Sequence, residues 1–184
     1  MVFWFTGLSG AGKTTLSQAL ARHLRSEGRP VLVLDGDEIR AGLCKDLGFS
    51  MAERRENIRR VAACASLAEA SGLICCVACI TPLAEQRALA RSLVGEFREI
   101  FVDSPLTTCI SRDPKGNYKK CIANYTGISS RYEAPEDADL VLDTAAETQA
   151  ESERRLIAWA EGQLGPAQPC EGLPGEGRPG ASPG

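Results

Sequence analysis

Apolar and polar residues alternate in blocks along this chain. Val2–Phe5 is an unbroken apolar, β-prone run, and Val31–Leu34 is another. Leu73–Ile80, Arg98–Val102 and Leu140–Leu142 read as further strands. Between them the spacing becomes helical. Leu16, Leu20 and Leu24 fall on one side of a helix over Lys13–Glu27 that ends near Gly28. More helices are predicted over Asp37–Leu43, Met51–Ala70 (closed by Gly72), Leu83–Val94, Leu106–Ser111 and Glu147–Leu164, and Pro82 stops the third strand. Strands alternating with helices, the strands apolar throughout, imply an α/β fold: a parallel β-sheet with helices on both faces, three layers in all. Arg112–Ala138 is polar and punctuated by Gly and Pro, and is expected to be mobile. From Gly165 to Gly184 large apolar residues nearly vanish. Such a tail buries too little surface to offset its ordering entropy, so disorder is expected over 165–184 and a folded domain over 1–164. There are no internal repeats.

A chain of 184 residues suffices for one domain with its own core. The net charge of −3 argues against nucleic acid as the main partner. No apolar run approaches membrane-spanning length, and the first strand follows no basic leader, so a cytoplasmic protein is expected. The 8 cysteines are then free thiols. Cys76-Val-Ala-Cys79 has the C-x-x-C form, but it lies in a predicted strand, where positions three apart face opposite sides. With His23 the only histidine, these thiols are expected to be small buried hydrophobes rather than a metal or redox site.

The chemistry begins after the first strand. Gly7-Leu-Ser-Gly-Ala-Gly-Lys-Thr14 is a complete G-x-x-x-x-G-K-[ST] loop between a predicted strand and a predicted helix, the context the motif requires. Backbone N–H groups of Gly7, Ser9, Gly10, Ala11, Gly12, Lys13, Thr14 and Thr15 are expected to cradle a nucleoside triphosphate. Lys13 adds charge at the β/γ-phosphates, and Thr14 offers its hydroxyl to Mg²⁺.

A second constellation follows the second strand, in Leu34-Asp-Gly-Asp-Glu-Ile-Arg40. Two carboxylates leave the carboxyl end of a parallel strand, where open α/β sheets bind ligands. One aspartate suits Mg²⁺ handling, and one suits a helix cap. The reading taken is that Asp37 orients or deprotonates an acceptor hydroxyl. Glu53-Arg54-Arg55-Glu56-Asn57-Ile58-Arg59-Arg60 is dense in arginine. Pairing with Glu53 and Glu56 accounts for Arg55 and one of Arg59 or Arg60. Arg54 and Asn57 share a face, and with Phe49 they suit an anionic acceptor that carries an aromatic base. Ser111-Arg-Asp-Pro-Lys-Gly-Asn-Tyr-Lys-Lys120 places cations among turn formers, as in a lid over transferring phosphates, at about 112–138.

Taken in order, these segments resemble the adenylylsulfate kinase (APS kinase) family. The resemblance runs from Val2 to Thr144 and rests on the phosphate loop together with Leu34–Arg40, Lys45-Asp-Leu-Gly-Phe-Ser50, Glu56–Arg60, Ile80-Thr-Pro82, Arg112-Asp-Pro-Lys-Gly116 and Tyr132-Glu-Ala-Pro135. It implies an adenylate-kinase-like P-loop NTPase fold, ATP and Mg²⁺, and transfer of the γ-phosphoryl group to the 3′-hydroxyl of adenosine 5′-phosphosulfate, giving PAPS. It further implies a homodimer. By resemblance, Lys13, Asp37 and Lys115 are catalytic and Arg112 lies near the ATP base. Asp37, Arg40, Arg54, Asn57, Ile80, Thr81 and Lys115 contact the phosphosulfate substrate, and Phe49 and Tyr125 stack on its adenine.

This chain departs from the family's usual pattern in several places. Glu38 stands where the family carries Asn and is expected to add negative charge near the acceptor. Thr81 stands for Ser, and Tyr125 for Phe. The segment between Lys120 and Thr126 is short, and the chain begins at the first strand. Glu38 and the short lid segment motivate an alternative, a related P-loop kinase acting on another nucleotide-linked acceptor. A nucleotide-binding scaffold is disfavoured because Lys13, Thr14, Asp37, Arg54 and Lys115 are all present. A GTPase is disfavoured because there is no Asn-Lys-x-Asp motif.

Overall fold

The computed structural model describes residues 1–113, 116, 118 and 125–165. Five strands, β1 (Val2–Thr6), β2 (Val31–Asp35), β3 (Ile74–Ala78), β4 (Phe97–Asp103) and β5 (Leu140–Asp143), form one sheet in the order β2-β3-β1-β4-β5. Every pairing is parallel. The helices are α1 (Lys13–Ser26), α2 (Gly36–Ala41), α3 (Met51–Ala70), α4 (Ala84–Leu93), α5 (Leu106–Arg112) and α6 (Gln149–Leu164).

β1 shows why the sheet is covered on both sides. Its residues are all buried, and alternate side chains enter different cores. Phe3 and Phe5 pack with Leu16, Leu20 and Leu24 of α1 and Leu156 of α6. Val2 and Trp4 pack with Ile58, Val61 and Ala65 of α3 and Ala90 of α4. The C-x-x-C pair divides the same way, Cys76 in the first core and Cys79 in the second. Burial pushes the Cys75 and Cys79 thiols up to about 12, which keeps them protonated and inert.

The order of strands creates the site. The chain passes from β1 to β3 by way of β2 on one side of β1, then crosses to β4 on the other. The connections leaving β1 and β3 therefore part at the carboxyl edge of the sheet, the place where such folds bind ligands. β3 is shorter than the apolar run suggests. Cys79 and Ile80 leave the strand, and Thr81 takes a left-handed φ of 42°. For a β-branched residue this conformation costs about 1–3 kcal/mol. It is held by the indole N–H of Trp4, which donates to Thr81 Oγ1 at 2.9 Å.

Part of the stretch expected to be mobile is strapped to this turn. Tyr132 stacks on Phe101 with ring centroids 6.3 Å apart. The Glu133 N–H donates to the Pro82 carbonyl at 2.8 Å, and Arg87 Nη1 donates to the Glu133 carbonyl at 2.7 Å. Of the tail expected over 165–184, everything from 166 onward, with Cys170, lies outside the described residues. No helix among the described residues is long and apolar enough to cross a membrane.

Candidate active site

The loop after β1 bends back because its glycines allow it. A Cβ at Gly7, where φ is 147°, would stand 2.4 Å from the Val102 carbonyl oxygen, and one at Gly10, where φ is 78°, 2.9 Å from that of Cys109. The loop ends at Gly12, the left-handed N-cap of α1. α1 has no side-chain cap and no acidic residue in its first turn. By contrast, α3 and α6 each carry a complete capping box, and Asp35 caps α2. The exposed N-terminal N–H groups of α1 thus keep their affinity for an anion.

Lys13 is buried, and its ammonium donates to the Leu8 carbonyl at 2.7 Å, across the loop. Burial lowers its pKa to about 8, against a weaker opposing pull from nearby groups that include Asp35 and Asp37. Thr14 Oγ1 donates to Asp35 Oδ2 at 2.6 Å, and Asp35 Oδ1 accepts from the Asp37 N–H at 2.9 Å. Asp35 is therefore both the cap of α2 and the carboxylate beside the loop hydroxyl. A hydroxyl next to a buried carboxylate at a phosphate site fits a hydrated Mg²⁺, which takes few protein ligands and keeps several waters. Among the described residues no three His, Cys, Asp or Glu side chains converge as a metal cluster. Arg112 lies on the other flank of the loop. Its Nη1 donates to Thr144 Oγ1 at 3.1 Å, and that hydroxyl donates to the Ala11 carbonyl at 2.8 Å.

The facing half of the site comes from α2, α3 and the turn between them. Arg40 Nη1 donates to the Gly48 carbonyl at 3.0 Å, and its guanidinium lies 4.4 Å from the Phe49 ring centroid. Arg54 donates to the Phe49 carbonyl at 3.0 Å and to Thr126 Oγ1 at 2.8 Å. Burial and the neighbouring Arg40 charge push the Arg54 guanidinium below its usual pKa, a strain that a bound anion would relieve. Phe49 is 52% exposed, a ring at the mouth that Arg40 and Arg54 approach. Tyr125 meets Tyr118 edge-on at 4.9 Å, and Tyr118 Oη donates to the Ser9 carbonyl at 2.8 Å.

Both halves open into a single cavity of about 870 Å³. Ser9, Gly10, Ala11, Gly12, Lys13, Thr14, Thr15 and Arg112 line it, and so do Asp37, Arg40, Phe49, Arg54, Asn57, Ile80, Thr81 and Tyr125. Gly7 starts the loop and does not line the cavity. Lys115, with Pro114 and Asn117, lies outside the described residues.

Three sequence expectations change. Glu38 lines a separate depression with Gln18 and Arg22, so its charge is not added to the acceptor side. Glu56 pairs with both Arg59 and Arg60 at 2.7 and 3.0 Å, whereas Glu53 closes the capping box of α3 and takes no part in an arginine pair with Arg55. Of the two aspartates, Asp35 is the one that caps α2 and meets Thr14, and it was not among the expected site residues. Its position at the last residue of an apolar strand was the available signal. Gln86 and Thr144 carried no such signal, because only the fold brings them to the cavity.

The family model for adenylylsulphate kinase matches residues 1–143. An adenylyl-sulfate kinase of Aeromonas hydrophila is 54% identical over 148 residues, which cover 77% of this chain and 75% of the relative. One from Bacillus licheniformis is 48% identical over 168 residues, covering 88% and 85%. Among solved structures, the Mycobacterium tuberculosis APS kinase in complex with AMPPNP and APS superposes with a TM-score of 0.82 at 43% identity, covering 87% of this chain and 96% of that one. Matched over its sheet, its phosphate loop and the acceptor side of its cavity, this chain belongs to the adenylylsulphate kinase family.

Proposed function

We propose that the protein is an adenylyl-sulfate kinase that transfers the γ-phosphoryl group of ATP to the 3′-hydroxyl of adenosine 5′-phosphosulfate, giving PAPS and ADP. The observation that carries this reading is the single cavity. A phosphate loop with an uncapped helix N-terminus shares it with Arg40, Arg54 and the half-exposed Phe49. A donor triphosphate and an anionic, base-bearing acceptor can therefore lie end to end with no wall between them, the arrangement direct in-line transfer requires.

In this reading the loop N–H groups and Lys13 hold the β- and γ-phosphates. Asp37, on the first turn of α2, accepts the hydrogen bond of the 3′-hydroxyl and takes its proton as the phosphoryl group moves. Arg40 and Arg54 hold the phosphosulfate, Phe49 and Tyr125 flank the adenine, and Asn57, Ile80 and Thr81 shape the floor. Arg112 supports the donor base. Lys115 adds charge from a lid over about 112–138 that excludes water, a competing acceptor. Mg²⁺, when bound, neutralises phosphate charge, and Thr14 and Asp35 are the residues that would hold it. Removing one strong donor to the transferring group should cost roughly 2.7–4 kcal/mol. A cytoplasmic homodimer and a folded unit over 1–164 complete the proposal; sedimentation tests the assembly and limited proteolysis the unit.

The test is ADP release with APS offered beside other nucleotide acceptors. Rapid turnover with APS and little with the others is expected. Robust turnover with another acceptor and none with APS would overturn the assignment of substrate.

A further inference from the structure

One polar group on the cavity wall has no part in the transfer scheme. Gln86 lies in the first turn of α4, is 0% exposed and lines the cavity. Neither its Oε1 nor its Nε2 meets a hydrogen-bond partner among the described residues. The charged groups around it are engaged with one another. Arg87 and Arg91 share Glu99 at 3.0 and 3.2 Å, and Arg87 also donates to the carbonyls of Thr81 and Glu133. Asn57 of α3, also on the cavity lining, is 6% exposed and its Oδ1 likewise has no partner among the described residues. A buried amide with nothing to bond is held against its desolvation cost, and folding offers no reason to keep it. What enters the cavity supplies one.

Depth indicates which part of the acceptor arrives there. Phe49, the stacking ring, stands half in solvent at the mouth, whereas Gln86 is sealed. An acceptor whose base stacks at the mouth turns its opposite, anionic end inward. Arg40 and Arg54 supply positive charge to the same cavity, beside Phe49. An amide adds a neutral donor there, while a carboxylate in its place would repel the same group.

We propose that Gln86 is a specificity-determining contact of the acceptor, its Nε2 donating to the terminal sulfonyl oxygens of the phosphosulfate. This deepens the proposed function and rests on it. Oε1 is left to accept from a water or from another donor that the acceptor brings in.

The test uses the full chain with the variants Gln86→Leu, which removes the amide, and the isosteric Gln86→Glu, measuring KM for APS and for ATP, thermal stability, and inhibition by AMP, which lacks the sulfonyl end. Gln86→Leu should raise KM for APS about tenfold, leave KM for ATP within about twofold, and melt at or above the wild-type temperature, because it removes an unsatisfied polar group. Gln86→Glu should raise KM for APS further. AMP inhibition should stay within about twofold in both variants. A purely structural role would instead lower the melting temperature and leave the ratio of the two KM values alone. Wild-type protein that neither binds nor phosphorylates APS would overturn the proposed function and this contact with it. Wild-type turnover of APS with unchanged KM in both variants would overturn the contact alone. A parallel loss of AMP inhibition would overturn its assignment to the sulfonyl end.

Discussion

Raising the pH from about 7 to 9 should weaken nucleotide binding, with Lys13 as the cause. In the ligand-free protein burial holds this ammonium at about 8, against 10.5 for the ordinary side chain. A polyphosphate in the loop places negative charge against it and restores the higher value. The complex therefore keeps its proton over a range in which the free protein loses it, and affinity falls as pH rises through about 8. The difference between about 8 and 10.5 amounts to about 3 kcal/mol at its limit. At pH 9 most of the free protein must first take up a proton, so the dissociation constant of a non-hydrolysable ATP analogue should rise about tenfold over its value near neutrality. Calorimetry in two buffers of different ionisation enthalpy reads both the affinity and the uptake of nearly one proton. Lys13→Met should bind weakly at every pH and show no such slope. A dissociation constant constant within about twofold from pH 7 to 9, or the same slope in Lys13→Met, would refute the reasoning.

Asp35→Asn keeps an oxygen to cap α2 but removes the charge beside Thr14. It should raise the Mg²⁺ concentration needed for half-maximal rate several-fold with the melting temperature little changed, as read from a magnesium titration of turnover. Asp37→Asn should lower kcat by about 10²–10⁴ while the affinity for ATP analogue stays the same, as measured by steady-state kinetics beside equilibrium binding. Arg87→Met leaves Glu99 buried without its nearer arginine, 3.0 Å away. Arg91 still reaches Glu99 at 3.2 Å, so the variant should lose less than the ~3–5 kcal/mol of a fully orphaned buried charge, read in denaturant unfolding.

The elements legible in the sequence are those whose signal is local. The continuous apolar runs of β1 and β3 announced a parallel sheet covered on both faces, and the Leu16, Leu20 and Leu24 stripe announced α1. The phosphate loop was legible because the motif is itself a set of backbone requirements. Phe49, Arg54 and Asn57 were legible as a face with an aromatic beside it. What the sequence withheld depends on crossing connections. Asp35 and Asp37 are equivalent in a list of carboxylates, and only the approach of Thr14 from another element assigns Asp35 to the loop. Glu38 sits beside both in sequence, yet it lines a separate depression with Gln18 and Arg22. Gln86 reads as an ordinary helical glutamine until α4 is packed against the cavity. Thr81 gains its strained backbone from Trp4, seventy-seven positions away.

The central claim is that donor and acceptor share one chamber, so that the phosphoryl group passes directly between them. The stereochemical course of transfer from a donor chiral at its γ-phosphorus tests it most directly. Inversion at phosphorus in the product is predicted. Retention would mean that a side chain carries the group in between, and would contradict the account.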